Sequence, residues 1–473
     1  MFVFSAAFPF FNNVDEQQHV DLVFKYSHGY LPHGLDHFSA ESAPYLTLYA
    51  SPEYFLPPEH YGGKYPPPNW AEDGRMPDSE YQATLDWWQA RENQESAEPS
   101  LYYSIAGQWL NIGKLLGIKG ELLLYWIRFL NVFFAIALVW IGFKTARLVF
   151  QDNILPAIGS ALLLALWPQT AFYSIQPDAL SPVCFGIAFF ALIKLLRSQQ
   201  MSAGLGVQLG LALAAAFLTK TSNLPFLAIA GIVVLAVMWR ITKSGGLRKS
   251  MPGIVAIAVC AILPILPWLA WNHHIFGDLT GTSAKVELLG WKPKPISEWW
   301  SHPIFTLHGF QEFWSQLLAS FWRGEFIWHG VRLASPLTDA SYWVSSGLII
   351  VLAGFGLIRE ARRRSFESRV LVVALASFLA GIAFLAVLSV AYDFGDCPYP
   401  SREHPYFTSG RLLAGAAIPF FTLYIYAVGL TAPGKRLKQV GLGAFCAVAL
   451  FVAISQALVN WPAFASPYNF FHL

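Results

Sequence analysis

Ten stretches of the chain are apolar enough, and nearly long enough or longer, to cross a bilayer, and that constrains the fold more than any other feature. They run at about 121–143, 154–175, 179–197, 203–219, 222–241, 252–272, 342–358, 369–392, 411–430 and 438–459. A hydrocarbon core takes about 20 apolar residues as helix, because every backbone polar group must be satisfied within the segment. Only 13% of residues are charged, against the roughly 25% usual in a soluble protein. A water-soluble enzyme is thereby excluded. The expected fold is an all-α polytopic bundle, one transmembrane domain over residues 1–473. An eleventh apolar stretch, MFVFSAAFPFF, is too short to span. It reads as the outer half of a truncated first helix or as a tilted, partly inserted one, and it lacks the basic flank and cleavage site of a signal peptide.

Charge is distributed by side. Lys144 and Arg147, Lys194 and Arg197, Arg240, Lys243, Arg248 and Lys249, Arg359, Arg362, Arg363, Arg364 and Arg369, and Lys435, Arg436 and Lys438 fall in alternate connections. The positive-inside rule makes those connections cytoplasmic. All but Asp152, Glu360 and Glu367 of the 29 acidic residues then lie at or near the other face. Chemistry that uses carboxylates is therefore expected outside, in an integral protein of a bacterial cytoplasmic membrane. Two long loops emerge on that side, residues 12–120 and residues 273–341. The first is rich in Pro, Tyr and acids, with a helix expected through LDWWQARENQ. The second carries aromatic segments suited to helices lying in the interface.

Cys184, Cys260 and Cys446 sit within apolar runs and Cys397 in a polar loop, so the cysteines set up neither a disulfide framework nor metal chemistry. No Gly-rich phosphate loop, dinucleotide fingerprint or HExxH is present, and the net charge of +2 gives no reason to expect nucleic acid.

Three groups of residues could carry chemistry. Asp15 and Glu16, followed by His19, place two carboxylates and an imidazole at the membrane surface, where one acid could serve as general base; capping of the next helix by Asp15 is the alternative. Asp178, in the turn Gln176-Pro177-Asp178, is either a cap or a second acid of a site. Arg128, Lys220 and Arg411 lie at outer span ends, where cations are depleted. They snorkel, or they grip a lipid-linked phosphate.

These residues, together with Glu98-Pro99-Ser100-Leu101-Tyr102-Tyr103 and Ser409-Gly410-Arg411, resemble in order and placement the GT-C superfamily of membrane glycosyltransferases. The resemblance is to protein O-mannosyltransferases, lipid A aminoarabinose transferases and a related uncharacterised multi-span family. It implies an inverting, lipid-phosphosugar-dependent glycosyltransferase of the cell envelope. Such an enzyme moves a sugar from a polyprenyl-phosphate donor among the membrane lipids to a lipid, glycan or protein acceptor. By the same resemblance Asp15 is the base, Glu16 supports it or binds a divalent ion with His19, and Asp178 is the second acid. Lys220 and Arg411, with Arg128, neutralise the donor phosphate. No other cofactor is implied. A transporter or flippase of a lipid-linked or anionic substrate is the competing expectation. It would place charges deep in several spans, whereas these cluster at one face.

Overall fold

The computed structural model describes the protein except Asp152, Gln199, residues 361–364 and 431–436, and Leu473; of Glu360 and residues 437–442 only the backbone is described. The basic residues Arg362, Arg363, Arg364, Lys435 and Arg436 fall outside the described residues, as do the side chain of Lys438 and the acid Asp152.

The described residues form a helical bundle whose only strands are two-residue ladders in loops. Seven helices are long and apolar enough to span: Glu121–Val149, Pro177–Arg197, Thr221–Lys243, Leu247–Phe276, Pro336–Arg359, Phe366–Ala391 and Gly410–Leu430. The bent pair Gly443–Val459 and Trp461–His472 would make an eighth. Two expected spans are shorter as helices. Ala203–Thr219 has 17 residues, and Ile154–Leu166 has 13, stopping before Trp167-Pro168. Proline disfavours α geometry in the residue before it, and the chain turns there into a short 3-10 helix, Thr170–Tyr173, directed to the site described below.

Small residues set one close helix contact. Gly206 and Gly210 lie against Gly253 and Ile257, where an added Cβ would come within 2.3 Å and 2.8 Å of their carbonyl oxygens. Such close approach is how helices associate where lipid supplies no hydrophobic drive.

Among the described residues the basic connections gather at one end of the bundle. The Arg240 guanidinium donates to Ser198 O at 2.9 Å, Arg197 lies 5.9 Å from the Phe366 ring, and Met201 N donates to Ser250 Oγ at 3.1 Å. A groove at the same end is lined by Phe150, Phe366 and Leu430.

The opposite end carries the two long loops. The first contains helices Glu16–Ser27, Ala43–Tyr49, Asp78–Gln89 and Leu101–Leu115. The expected helix at LDWWQARENQ begins earlier and stops at Gln89, because Asn93 and Gln94 spend their amides on Asp21 and Asp15. In the second loop Leu307–Arg323 is a helix with a buried apolar face. Trp322 on that face stacks on Tyr342 at 5.2 Å in the protein core, whereas Trp300 is exposed as an interfacial residue would be. The N-terminal apolar stretch is core as well: the helix Phe2–Ala7 leads into Phe8, Phe10 and Phe11, all buried.

Candidate functional site

Asp15 sits where a capping residue would, ahead of the helix Glu16–Ser27, yet its side chain makes no capping bond. Its backbone is left-handed, φ 65°, a conformation Asp tolerates better than most residues. The carboxylate is thereby turned toward the bundle, where it pairs with Arg411 through Oδ2 and accepts from Gln94 Nε2 at 3.1 Å through Oδ1. Asn13 fixes this turn by donating to Ser174 Oγ at 2.6 Å.

Arg411 is the hub. Besides Asp15 it meets Glu325 Oε2 at 3.2 Å and Asp178 Oδ2 at 3.8 Å, and it donates to Gln176 Oε1 at 2.9 Å and Val14 O at 3.1 Å. Gly410 makes that position reachable, since a Cβ there would lie 2.0 Å from Phe321 N. Asp178 is in the 3-10 turn Pro177–Ala179, fully buried, and its Oδ2 accepts from Lys220 Nζ. Lys220 follows the last turn of Ala203–Thr219 in an extended conformation that directs it inward. Glu325 also pairs with Arg332 at 2.8 Å and accepts from Ser409.

Asp15, Asp178, Lys220 and Arg411, drawn from four distant parts of the sequence, thus meet in one network at the end opposite the basic connections. Their mutual pairing offsets the desolvation that would make any of these charges costly alone. The Asp178 Oδ1 atom is left without a partner. Of the three carboxylates around Arg411, Asp15 has a side chain 20% exposed, against 0% for Asp178 and 1% for Glu325.

Glu16 and Arg128 are placed elsewhere. They form their own ion pair at 2.8 Å with no exposure on either side chain. Glu16 also accepts from Phe11 N and Ile175 N, both at 2.9 Å, and Arg128 donates to the carbonyls of Ser5, Phe8 and Pro9. The pair ties the N-terminal stretch to the span Glu121–Val149, and its bonds leave neither group pointing at Arg411. The Glu16 oxygens, expected as metal ligands, are spent on these donors. Among the described residues no three His, Cys, Asp or Glu side chains come together as a metal site. His19 instead bonds Tyr103 Oη through Nδ1 at 2.8 Å; burial lowers its pKa to about 4, leaving it neutral at physiological pH.

Glu325 and Gln94 were not legible as site residues. The one hint of Glu325 is an acid inside the aromatic run FWRGEFIW.

A polytopic helical membrane protein with a buried charge network at one end is the class these features define. The chain belongs to the DUF2142 family, described as predicted membrane proteins, which matches residues 1–395. It matches no curated protein in sequence. Among solved structures it is similar to the Archaeoglobus fulgidus oligosaccharyltransferase in complex with Zn and sulfate, at 12% identity and TM-score 0.39, over 79% of this chain and 45% of that one. It is also similar to ArnT from Cupriavidus metallidurans bound to undecaprenyl phosphate, at 13% identity and TM-score 0.38, over 79% of this chain and 64% of that one. The chain therefore spans about half to two thirds of the length of these proteins.

Proposed function

We propose that this protein is a GT-C-type membrane glycosyltransferase that moves a sugar from a polyprenyl-phosphate donor to a hydroxyl of a lipid, glycan or protein acceptor at the outer face of the membrane. The observation that carries the reading is the network itself: two cations, Arg411 and Lys220, that share Asp178, with Arg411 also paired to Asp15, the one of its three carboxylates that keeps appreciable solvent exposure. A lipid-linked phosphate is a natural competitor for such cations, because guanidinium and ammonium groups form charge-assisted bonds to its oxygens.

The proposed step is a single displacement. The acceptor oxygen attacks the anomeric carbon as the bond from that carbon to the phosphate oxygen breaks. The phosphate leaves with the bonding electrons, and the acceptor proton passes to Asp15. Arg411 and Lys220 stabilise charge that grows on the phosphate in the transition state. Attack opposite the leaving group inverts the anomeric centre.

The Arg411–Asp15 pair adds coupling to this scheme. While Arg411 holds Asp15, the Oδ2 atom is occupied by the guanidinium; a donor phosphate that draws the guanidinium away leaves that oxygen free to receive the acceptor's proton.

The test is incubation of purified protein in detergent with radiolabelled polyprenyl-phosphate sugars and membrane extract. Wild type is expected to move label into an acceptor, and Asp15→Asn to slow transfer by about 10²–10⁴-fold, the usual worth of a general base. Equal transfer by both proteins would remove Asp15 from the assigned role.

A further inference from the structure

A second set of buried polar groups adjoins the network. Glu95 pairs with Lys285 at 2.6 Å, and the Gln94 amide touches both Asp15 Oδ1, at 3.1 Å, and Glu95 Oε1, at 3.5 Å. The two sets thus share a wall. Within the second set two buried atoms have no hydrogen-bond partner, His19 Nε2 and Glu98 Oε2. A buried polar atom left unpaired costs free energy that a bound ligand or water recovers, so each needs an explanation.

The charge of this set differs from that of the first. Lys285 holds Glu95 ionised, well below the usual carboxylate range against the penalty of burial, and the two charges cancel. His19 is neutral. Burial, with the Glu95 carboxylate alongside and hydrogen-bonded to it, raises Glu98 to about 7, so near neutral pH its proton is shared with Glu95 and Oε2 is left to accept, while His19 Nε2 is left to donate or accept. Lys220 acts electrostatically on His19, Glu95 and Glu98, and so lies between the two sets.

A nearly neutral set with one free ring nitrogen and one free carboxyl oxygen has nothing to offer an anion and little to offer a cation. It suits hydroxyl groups, which donate and accept at once. We propose that His19 and Glu98 form a subsite for the hydroxyls of the sugar carried by the lipid phosphate, with Lys285–Glu95 fixing its floor and Lys220 marking the border with the phosphate. The inference rests on the proposed function, whose donor supplies that sugar.

The experiment titrates purified full-length protein in detergent, by tryptophan fluorescence, with polyprenyl phosphate and separately with its mannosyl, glucosyl and galactosyl derivatives. Wild type is expected to bind at least one sugar-bearing lipid more tightly than the bare phosphate. Glu98→Ala and His19→Phe are expected to remove that preference, a change of roughly tenfold for the loss of one or two hydrogen bonds, while affinity for the bare lipid stays as it was. Glu98→Gln, which keeps the size and both bonding capacities, is expected to retain the preference. Absence of any preference in wild type, or its survival in both Glu98→Ala and His19→Phe, would overturn the subsite; binding of the bare lipid, lost in Arg411→Ala, would then leave the proposed function standing. Weaker binding of every lipid by Glu98→Gln and Glu98→Ala alike would assign Glu98 to folding and overturn the subsite. Failure of wild type to bind any of these lipids would overturn both readings.

Discussion

At the scale of single residues, identical charge types in this protein do opposite work, and substitutions separate them. Glu16→Gln leaves Arg128 buried without its counter-charge, which should cost about 3–5 kcal/mol. The apolar double variant Glu16→Leu with Arg128→Met removes the lone charge but leaves Phe11 N, Ile175 N and the carbonyls of Ser5, Phe8 and Pro9 without their partners, so it should regain only part of that stability, read as the apparent unfolding temperature in detergent. A metal-ligand role for Glu16 predicts instead that the double variant stays inactive and insensitive to added divalent ions while the single variant remains folded. Glu53 gives a second prediction. It is buried between Ser51 and Ser466, which donate to Oε2 at 3.0 Å and 2.6 Å, and burial raises its pKa from 4.5 to about 7. Between those values the folded state keeps a proton that the unfolded chain has released. Stability therefore falls as pH rises from about 4.5 to 7 and levels above that, by on the order of 3 kcal/mol for this group alone. His19, lowered from 6.5 to about 4, opposes the trend from about pH 4 to 6.5, since its unfolded form binds the extra proton there, while Glu98, raised to about 7 as Glu53 is, reinforces it. Glu53→Gln should flatten the decline between pH 5 and 7. An unchanged slope of apparent unfolding temperature against pH would show that the Glu53 carboxyl ionises in place.

At the scale of elements, glycine decides whether the cationic hub reaches its place. Gly410→Ala puts a Cβ 2.0 Å from Phe321 N and must push apart the helix Leu307–Arg323 and the entry to Gly410–Leu430. Overpacking of this kind costs about 1–3 kcal/mol, and the displaced Arg411 should lower activity as far as Arg411→Ala does. Gly231→Ala, where nothing lies within 4 Å, should leave both unchanged; comparing transfer rates and unfolding temperatures of the two variants checks this. The same junctions show which parts of the fold were legible. Long apolar runs such as 369–392 announce their helices, because hydropathy and length are local properties. The end of the helix Ile154–Leu166 was missed although Pro168 stands in the run, since hydropathy continues through it unchanged. Asp15, Asp178, Lys220 and Arg411 drew attention as charges at span ends. Glu16 and Arg128 share that signature, and only packing separates a charge turned into the site from one spent on the backbone carbonyls of an N-terminal stretch. Glu325 was missed because the partner that ties it to the site, Arg411, is 86 positions further along the chain, beyond anything spacing reveals.

At the scale of the whole molecule, the distribution of charge has a direction, and the proposed reaction depends on it. The end bearing Arg197, Arg240 and Phe366 is basic; the end bearing Asp15, Asp178 and Glu325 holds the acids and both long loops. Lys and Arg set topology through short loops, so the basic end should face the cytoplasm and the network the exterior. Single cysteines test this directly. Arg75, in the first long loop, has a side chain 81% exposed, and Lys243 is exposed beside the turn that follows its span. In a background with Cys397 and Cys446 replaced, a membrane-impermeant maleimide should label Arg75→Cys on intact cells and Lys243→Cys only after permeabilisation. The reverse pattern would put Asp15 in the cytosol. A polyprenyl-phosphate donor presented at the outer leaflet would then have no route to Arg411 and Lys220, because the described spans separate the two ends by the full thickness of the hydrocarbon core, about 30 Å.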